Sequence, residues 1–159
     1  MSTAAGVLDH SALKVNQTGI VVTVLVAFLA SFAGWAGQLL IPLLAIVLLL
    51  GTFNPRLALF KQLYFNVLKP AGVVKPQPVQ DRPEPHNFAQ GLGGVFLTVS
   101  SVLIFTPVLT GDFSPNPLQA IGLALALLVA VLAFVNLAFG YCVGCQIFFQ
   151  LERRGLLRV

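Results

Sequence analysis

Long apolar runs alternate with short polar segments along the chain, and the segments between the runs carry almost all of its charge. The first run extends from residue 19 to residue 53. As one helix it would be about 50 Å long, which exceeds the roughly 30 Å of a hydrocarbon core, so we expect the run to fold back on itself. The Gly-Trp-Ala-Gly sequence around Trp35 suits this break, because glycine permits a tight turn and tryptophan favours the headgroup layer. The pattern predicts two membrane spans, at about residues 19–33 and 38–53.

The second half of the chain contains two further apolar runs. Residues 87–90 read Asn-Phe-Ala-Gln and have the form of a capping box, which marks the start of a helix. Asn116 stands before a proline, a pairing typical of a helix cap followed by the first helical residue. These signals predict a third span at about residues 88–108 and a fourth at about residues 118–140.

The last apolar run is too long for a single span. No charged residue appears between Leu118 and Glu152, and a helix of that length would reach about 50 Å. Either the helix protrudes into the cytosol, or it breaks near Gly140 and resumes along the membrane surface. In both cases residues 146–159 are predicted to form a cytosolic tail.

The segment between the second and third spans divides into two parts. Residues 55–69 place apolar side chains on one side of a helical wheel and Lys61 and Lys69 on the other, a pattern typical of a helix that lies in the membrane interface. This helix is either a docking surface for lipid or a partner, or a packed amphipathic connector. Residues 70–86 contain five prolines, which favour a stiff, extended loop over a regular helix.

The composition is that of a small integral membrane protein. Hydrophobic residues make up 57% of the chain and charged residues only 9%. We therefore predict an all-α integral membrane protein with a single membrane domain over residues 1–159. It consists of four transmembrane helices and one interfacial amphipathic helix, packed as a bundle in a lipid bilayer.

Several classes of function lack support in the sequence. There is no nucleic-acid-binding motif, and the basic balance of the chain serves instead to orient its spans. No charged residue lies within a predicted span, which argues against an ion-coupled transporter. Neither histidine lies within a predicted span, which argues against a haem or pigment site. We expect no cofactor.

The distribution of basic residues predicts the orientation in the membrane. With four spans, the N-terminal arm, the connector after the second span and the C-terminal tail share one side. All nine basic residues then lie on that side: Lys14, Arg56, Lys61, Lys69, Lys75, Arg82, Arg153, Arg154 and Arg158. Because positively charged loops stay in the cytosol, both termini are predicted to be cytosolic, in a bacterial inner membrane or an internal membrane.

The two cysteines, Cys142 and Cys145, form a C-x-x-C motif at the end of the last apolar run. On the cytosolic side a permanent structural disulfide is not expected, because cellular thiol systems keep such pairs reduced. The remaining interpretations are a cycling dithiol, a persulfide that carries sulfur, half of a metal site, or two small residues used only for helix packing.

The chemistry of this motif depends on the backbone at Gly140. In a continuous helix the cysteines would lie near a helix C-terminus, where the dipole disfavours a thiolate. After a break, Cys142 would stand at a new helix N-terminus, which favours a thiolate. His86, at the entrance of the third span, is then either an activator of Cys142 or a solvated histidine before the helix. Together with Cys142, Cys145 and His10, His86 also completes a conceivable Cys2His2 zinc set, drawn from distant segments.

Two stretches carry a resemblance to a known family. Residues 81–90 read Asp-Arg-Pro-Glu-Pro-His-Asn-Phe-Ala-Gln, and residues 136–145 read Asn-Leu-Ala-Phe-Gly-Tyr-Cys-Val-Gly-Cys. They resemble a bacterial membrane-protein family described as a domain of unknown function, in which an arginine often stands where this chain has Asn87. On this resemblance the signature positions are Arg82, Pro83, Phe88, Ala89, Gln90, Gly140, Cys142, Gly144 and Cys145. The resemblance implies the membrane fold and no particular activity.

Two hypotheses for function follow. In the first, the protein is a dithiol protein at the cytosolic face, in which Cys142 attacks, Cys145 resolves and His86 activates. It would exchange electrons or sulfur with a soluble thioredoxin- or rhodanese-like partner. In the second, it is a non-enzymatic accessory or scaffold subunit of a larger membrane complex. Whether the protein is an enzyme stays open at this point.

Overall fold

The computed structural model describes residues 6–111 and 116–156, most of which are helical. Four helices are long and apolar enough to cross a membrane, which confirms the predicted all-α fold with four transmembrane helices. The elements follow in the order β1 (Gly6–Asp9), α1 (His10–Ser31), α2 (Leu40–Phe53), α3 (Leu59–Leu63), β2 (Pro78–Asp81), α4 (Pro83–Leu109), α5 (Pro117–Phe139) and α6 (Val143–Arg153).

The first apolar run breaks where its glycines predict. Just beyond α1, Gly34 has a φ of +151°, a conformation that glycine adopts readily. A short 3-10 helix, Trp35–Leu39, then leads into α2, so that Ala36–Phe53 forms the second candidate span. The first span differs from its predicted bounds, because α1 already begins at His10 rather than near residue 19.

The start of the third span also differs from the prediction. α4 begins at Pro83, with Arg82 as its N-cap residue. Proline suits this position because its missing N–H would have no partner in the helix in any case. Asn87 lies inside α4, so the predicted capping box is wrong. The Gln90 side chain instead crosses to α2, where it donates to the Leu48 carbonyl at 3.0 Å.

The connector between α2 and β2 is not one continuous amphipathic helix, as predicted over residues 55–69. It consists of a 3-10 turn, Pro55–Leu57, the short helix α3, and one turn of π-helix, Tyr64–Leu68. Tyr64 is fully buried, and its hydroxyl donates to the Asp9 carboxylate at 2.8 Å. The connector is therefore fastened to the residue that caps α1, which favours the packed-connector interpretation.

The proline-rich segment contains regular structure. β2 pairs with β1 in an antiparallel ladder, with Val7 opposite Gln80 and Asp9 opposite Pro78. Proline is tolerated here because it occupies the first residue of the strand. The prediction of a loop over residues 70–86 is therefore wrong for β2 and for the first turn of α4.

The bundle is built by α4, which packs against both α2 and α5, and by α1, which packs against α5. Small residues allow the helices to approach closely. A Cβ at Gly94 would meet the Leu49 side chain at 2.9 Å, and one at Gly122 would meet the Ser100 carbonyl oxygen at 2.9 Å. The Ser100 hydroxyl donates to the Gly122 carbonyl at 2.7 Å and so bonds α4 to α5. Many apolar side chains face outward, as lipid contact requires.

Charge is segregated between the two ends of the bundle. The N-termini of α1 and α4 and the C-termini of α2 and α5 share the end at which β1 pairs with β2. Of the nine basic residues, Arg158 lies outside the described residues, and the others lie at this end. The sequence between α1 and α2 and between α4 and α5 contains no lysine or arginine.

Candidate dithiol site

α5 and α6 are separated by a break at Gly140. This residue is left-handed, with a φ of +69°, and its N–H donates to the Asn136 carbonyl at 2.9 Å. Glycine commonly ends helices in this conformation because it lacks a Cβ. α6 then starts at Val143, with Cys142 as its N-cap residue. The last apolar run therefore breaks at Gly140, as in the second of the two predicted alternatives, and does not continue as one helix.

Cys142 caps α6 through its sulfur, which accepts a hydrogen bond from the Cys145 N–H at 3.2 Å. A helix N-terminus carries partial positive charge and unpaired N–H groups, so it stabilises an anionic sulfur. The structure joins the two sulfur atoms in a disulfide, across a Cα separation of 5.2 Å. The motif therefore has the geometry to alternate between disulfide and dithiol.

The two cysteines differ in exposure. Cys145 is buried, with 6% of its surface exposed, whereas Cys142 is half-buried and lines a cavity. A reacting molecule reaches the Cys142 sulfur more easily. The Cys142 sulfur is therefore the one that can contact another molecule, and the Cys145 sulfur can react only within the site.

His86 contacts Cys145, whereas the sequence predicted Cys142 as its partner. Its Nδ1 atom is 3.6 Å from the Cys145 sulfur, and its Nε2 atom is 3.0 Å from a carboxylate oxygen of Asp81. An ionised carboxylate only accepts hydrogen bonds, so Nε2 carries the hydrogen in this contact. In the neutral ring, Nδ1 is then free to accept a proton from Cys145.

Asp81 orients this histidine. It is the last residue of β2, where pairing with Gly6 fixes its backbone. One carboxylate oxygen accepts from the Arg82 N–H at 2.8 Å, and the other contacts His86 and also His10, at 3.4 Å. Burial alone would raise the pKa of Asp81, but the hydrogen bonds from His86 and Arg82 outweigh it and hold the pKa below its ordinary value. Asp81 therefore stays ionised at neutral pH.

An ion pair and close packing hold α6 against the start of α4. The Arg82 guanidinium donates two hydrogen bonds to the Glu152 carboxylate, at 3.2 and 3.3 Å. Near the other end of α6, a Cβ at Gly144 would lie 2.8 Å from the Ala89 Cα, so only glycine permits this approach. These contacts fix the position of both cysteines relative to His86.

The structure divides the conceivable zinc ligands between two groups. Cys142, Cys145 and His86 offer three ligand atoms that lie within 4.8 Å of one another. His10 falls in a second group, with Asp81 and His86, and its ring packs edge-on to that of His86 with the centroids 6.2 Å apart. A structural zinc site takes four ligands and needs cysteine thiolates, so the disulfide form of the pair does not fit this metal.

A cavity of about 210 Å³ adjoins the motif, extends between α1, α4, α5 and α6, and reaches Leu48 of α2. Cys142 and His86 belong to its lining, as does Asn136 in the last turns of α5. Most of the remaining lining is apolar. No periodicity of the sequence indicates this cavity, because it arises from the way five helices meet.

Sequence reasoning missed Asp81 and Glu152. A local signal exists for Asp81, which lies five residues before His86 in the same signature stretch. No comparable signal exists for Glu152, because its contact with Arg82 joins residues that are 70 positions apart.

No curated protein and no solved structure matches the sequence significantly. A family model described as "Domain of unknown function (DUF4395)" matches residues 8–153. The match includes the four spanning helices and every residue of the dithiol site, and it agrees with the resemblance to a family of unknown function. The chain belongs to the DUF4395 family.

Proposed function

We propose that this protein is a membrane-embedded dithiol protein that exchanges electrons or sulfur with a soluble partner at the cytosolic face of the membrane. The partner is of the thioredoxin-like or rhodanese-like class. The observation that carries the proposal is the setting of the C-x-x-C motif, with Cys142 at a helix N-terminus and Cys145 beside His86. Cysteines used only for packing need neither a helix break nor a histidine aligned by a carboxylate.

Cys142 is the nucleophile of the reduced protein. Its thiolate is stabilised by the N-terminus of α6 and by the Cys145 N–H. It attacks a disulfide of the partner, so that a mixed disulfide forms and the other partner sulfur leaves as a thiolate. Sulfur transfer takes the same course, because attack on the outer sulfur of a partner persulfide leaves a partner thiolate and a persulfide on Cys142.

Cys145 resolves the mixed disulfide. It attacks the Cys142 sulfur, the motif disulfide forms, and the partner leaves in its reduced form. His86 accepts the Cys145 proton through Nδ1, and Asp81 stabilises the imidazolium that results. In the opposite direction a partner thiolate attacks the Cys142 sulfur, and Cys145 leaves and takes its proton from His86.

The charge distribution supports a cytosolic position for the site. The described basic residues lie at the end of the bundle that holds the motif, and the sequence between α1 and α2 and between α4 and α5 contains no lysine or arginine. Positively charged loops are retained in the cytosol during insertion. In this orientation both termini are also cytosolic.

The test uses purified protein in nanodiscs, with oxidised glutathione as the probe. Reduced wild-type protein is expected to form the Cys142–Cys145 disulfide, and alkylation then detects the loss of both thiols. Cys145→Ser cannot resolve, so it is expected to retain glutathione on Cys142, detected as a mass increase of the intact protein. Cys142→Ser is the matched control, and we expect little adduct on it because Cys145 is buried.

A protein partner extends the same experiment. Cys145→Ser is expected to form a mixed disulfide with a thioredoxin that lacks its own resolving cysteine and carries glutathione on the remaining one, with glutathione leaving as a thiolate. Cys142→Ser is not expected to form it. Thiols that resist both glutathione and alkylation, together with the absence of any adduct, would contradict the proposal. They would favour a non-enzymatic accessory or scaffold subunit of a larger membrane complex.

A further inference from the structure

The cavity beside the dithiol site follows the membrane-spanning helices away from the motif. Its lining includes Cys142 and His86, and it continues along α4 as far as Phe96. The ten residues from His86 to Phe96 correspond to a rise of about 15 Å along the helix axis. The cavity therefore connects the reactive sulfur with the interior of the span.

The far part of the cavity borders the surface that lipid would contact. Phe96 and Leu132 both line it, and each still exposes 37% of its surface on a helix that is apolar enough to span a membrane. A lipid-soluble molecule that enters between α4 and α5 reaches the cavity without crossing water.

The polar groups of the lining fall into two sets. Asn16 donates to Gln90 at 3.4 Å, and Gln90 donates to the Leu48 carbonyl, so these two amides hold α1, α4 and α2 together. The side chains of Gln17 and Asn136 have no hydrogen-bond partner within residues 6–111 and 116–156. Both side chains are half-buried, and polar side chains within spanning helices are typical of functional sites.

From this combination we infer that the cavity binds a lipophilic quinone, which accepts two electrons from the reduced Cys142–Cys145 pair. The inference rests on the proposed function, because it requires a reactive dithiol. The hydrocarbon tail of a quinone fits the apolar part of the cavity, and its carbonyl oxygens accept hydrogen bonds from free amides such as those of Gln17 and Asn136. A saturated acyl chain would leave both amides unpaired.

The electrons and protons of this reaction balance. The dithiol loses two electrons and two protons as the sulfur–sulfur bond forms, and the quinone gains two electrons and two protons to become a quinol. His86 accepts the proton of Cys145 and lines the same cavity, so it is placed to pass a proton toward the quinone oxygen. A soluble dithiol partner then reduces the motif by exchange and becomes a disulfide.

The test uses reduced protein in nanodiscs under anaerobic conditions, with decylubiquinone as the probe. We expect thiol loss, measured by alkylation, and quinol formation, measured by ultraviolet absorbance, in equal amounts. Cys142→Ser is expected to form no quinol, because a single thiol cannot supply a disulfide within the motif.

Two cavity variants and one control locate the reaction. Ala133→Phe fills the cavity from α5, and Asn136→Leu removes a free amide. For each variant we compare the ratio of its rate with decylubiquinone to its rate with oxidised glutathione. This ratio is expected to be at least about tenfold lower than in the wild type, a change equivalent to about 1.4 kcal/mol. Ala124→Phe is the matched control, because Ala124 is exposed on the same helix and lies outside the cavity.

The outcomes separate the two proposals. A protein that reacts with glutathione but not with decylubiquinone would overturn the quinone inference and leave the dithiol function intact. Cavity variants that react with decylubiquinone as fast as Ala124→Phe would also overturn it. A protein that reacts with neither oxidant would overturn both proposals.

Discussion

The two ends of the helical bundle are built differently. One end brings together the β1–β2 ladder, the Arg82–Glu152 ion pair and the dithiol site. At the other end, the described residues include two glycines with positive φ, Gly34 and Gly111. The spanning helices thus act as a scaffold, and the candidate chemistry depends on contacts made at one end only.

This difference has a physical basis. Within the spans, association relies on small residues and apolar packing, which position helices but supply no reactive group. At the site end, helix termini and charged side chains lie outside the hydrocarbon core and combine in networks such as Cys145–His86–Asp81. Changes at that end are therefore expected to alter reactivity, whereas changes at the opposite end are expected to alter stability alone.

The largest effect is expected from Gly144→Val. A Cβ there would lie 2.8 Å from the Ala89 Cα, and overpacking of this kind costs about 1–3 kcal/mol. Because the substitution pushes the cysteines away from His86, exchange with glutathione is expected to slow at least about 100-fold. Gly111→Ala is the control at the opposite end. It strains a φ of +80° but meets no neighbouring atom, so it should lower Tm and leave exchange unchanged.

His86→Ala is expected to slow the resolving step roughly 100-fold, because a positioned general base contributes about that factor. Formation of the glutathione adduct on Cys142 should be affected much less, so the adduct accumulates and is measured by intact mass. His10→Ala is the control, since His10 contacts the same Asp81 oxygen but does not belong to the group formed by His86 and the two cysteines. Equal rates of resolution in His86→Ala and wild type would contradict the role assigned to this ring.

Acid is expected to weaken the site end through Asp81. Its pKa in the folded protein lies below the ordinary value of 3.8, so its contribution to stability is present above that value and is lost as the pH falls through the lowered pKa. The free energy of unfolding should therefore fall below about pH 4. Asp81→Asn should remove this part of the loss of unfolding free energy at low pH. It should also slow thiol–disulfide exchange at neutral pH.

Asp9→Asn provides the matched comparison for this pH dependence. Burial raises the pKa of Asp9, but hydrogen bonds from Gln77, Tyr64 and Ser11 outweigh it, so its pKa is also lowered. Its substitution should reduce the loss of unfolding free energy at low pH. It should not slow exchange, because Asp9 does not contact His86. Slower exchange in Asp9→Asn would show that the whole end of the bundle, rather than the His86–Asp81 contact, controls reactivity.

The smallest effect is expected from Glu152→Gln. The Arg82–Glu152 pair is partly exposed, with 27% and 32% of the side chains accessible, so its loss should lower Tm only slightly and the difference should shrink in high salt. Arg56→Gln is the control, since Arg56 makes no ion pair with any described residue. A large loss of exchange in Glu152→Gln would mean that this pair, more than Gly144, holds α6 in place.

The number of spans follows from the sequence because crossing a membrane is a local property of an apolar run. The turn near Gly34 and the cap at Asn116, whose side chain accepts from the Leu118 N–H at 2.9 Å, are local signals of the same kind. The start of α1 also carries a local signal, because the Asp9 side chain accepts from the Ser11 N–H at 3.1 Å, but a distant contact holds it in place. Ser11 in its first turn donates to the Lys75 carbonyl, and this partner lies 64 positions away.

The candidate site likewise contains features that local sequence signals predict and features that depend on contacts between distant residues. The break at Gly140 and the capping role of Cys142 belong to one short segment, so the sequence reduces them to two alternatives. The preference of His86 for Cys145 could not be predicted, because it depends on how α6 packs on α4. That packing is set by contacts between distant residues, such as the approach of Gly144 to Ala89.

The most direct measurement is a redox titration of the protein in nanodiscs, in buffers with varied ratios of reduced to oxidised glutathione. Alkylation followed by intact mass counts the free thiols of Cys142 and Cys145 at each ratio. A cycling dithiol predicts one reversible transition in which both thiols appear and disappear together. A pair that keeps one state across the series, or thiols that change independently, would contradict the proposed exchange.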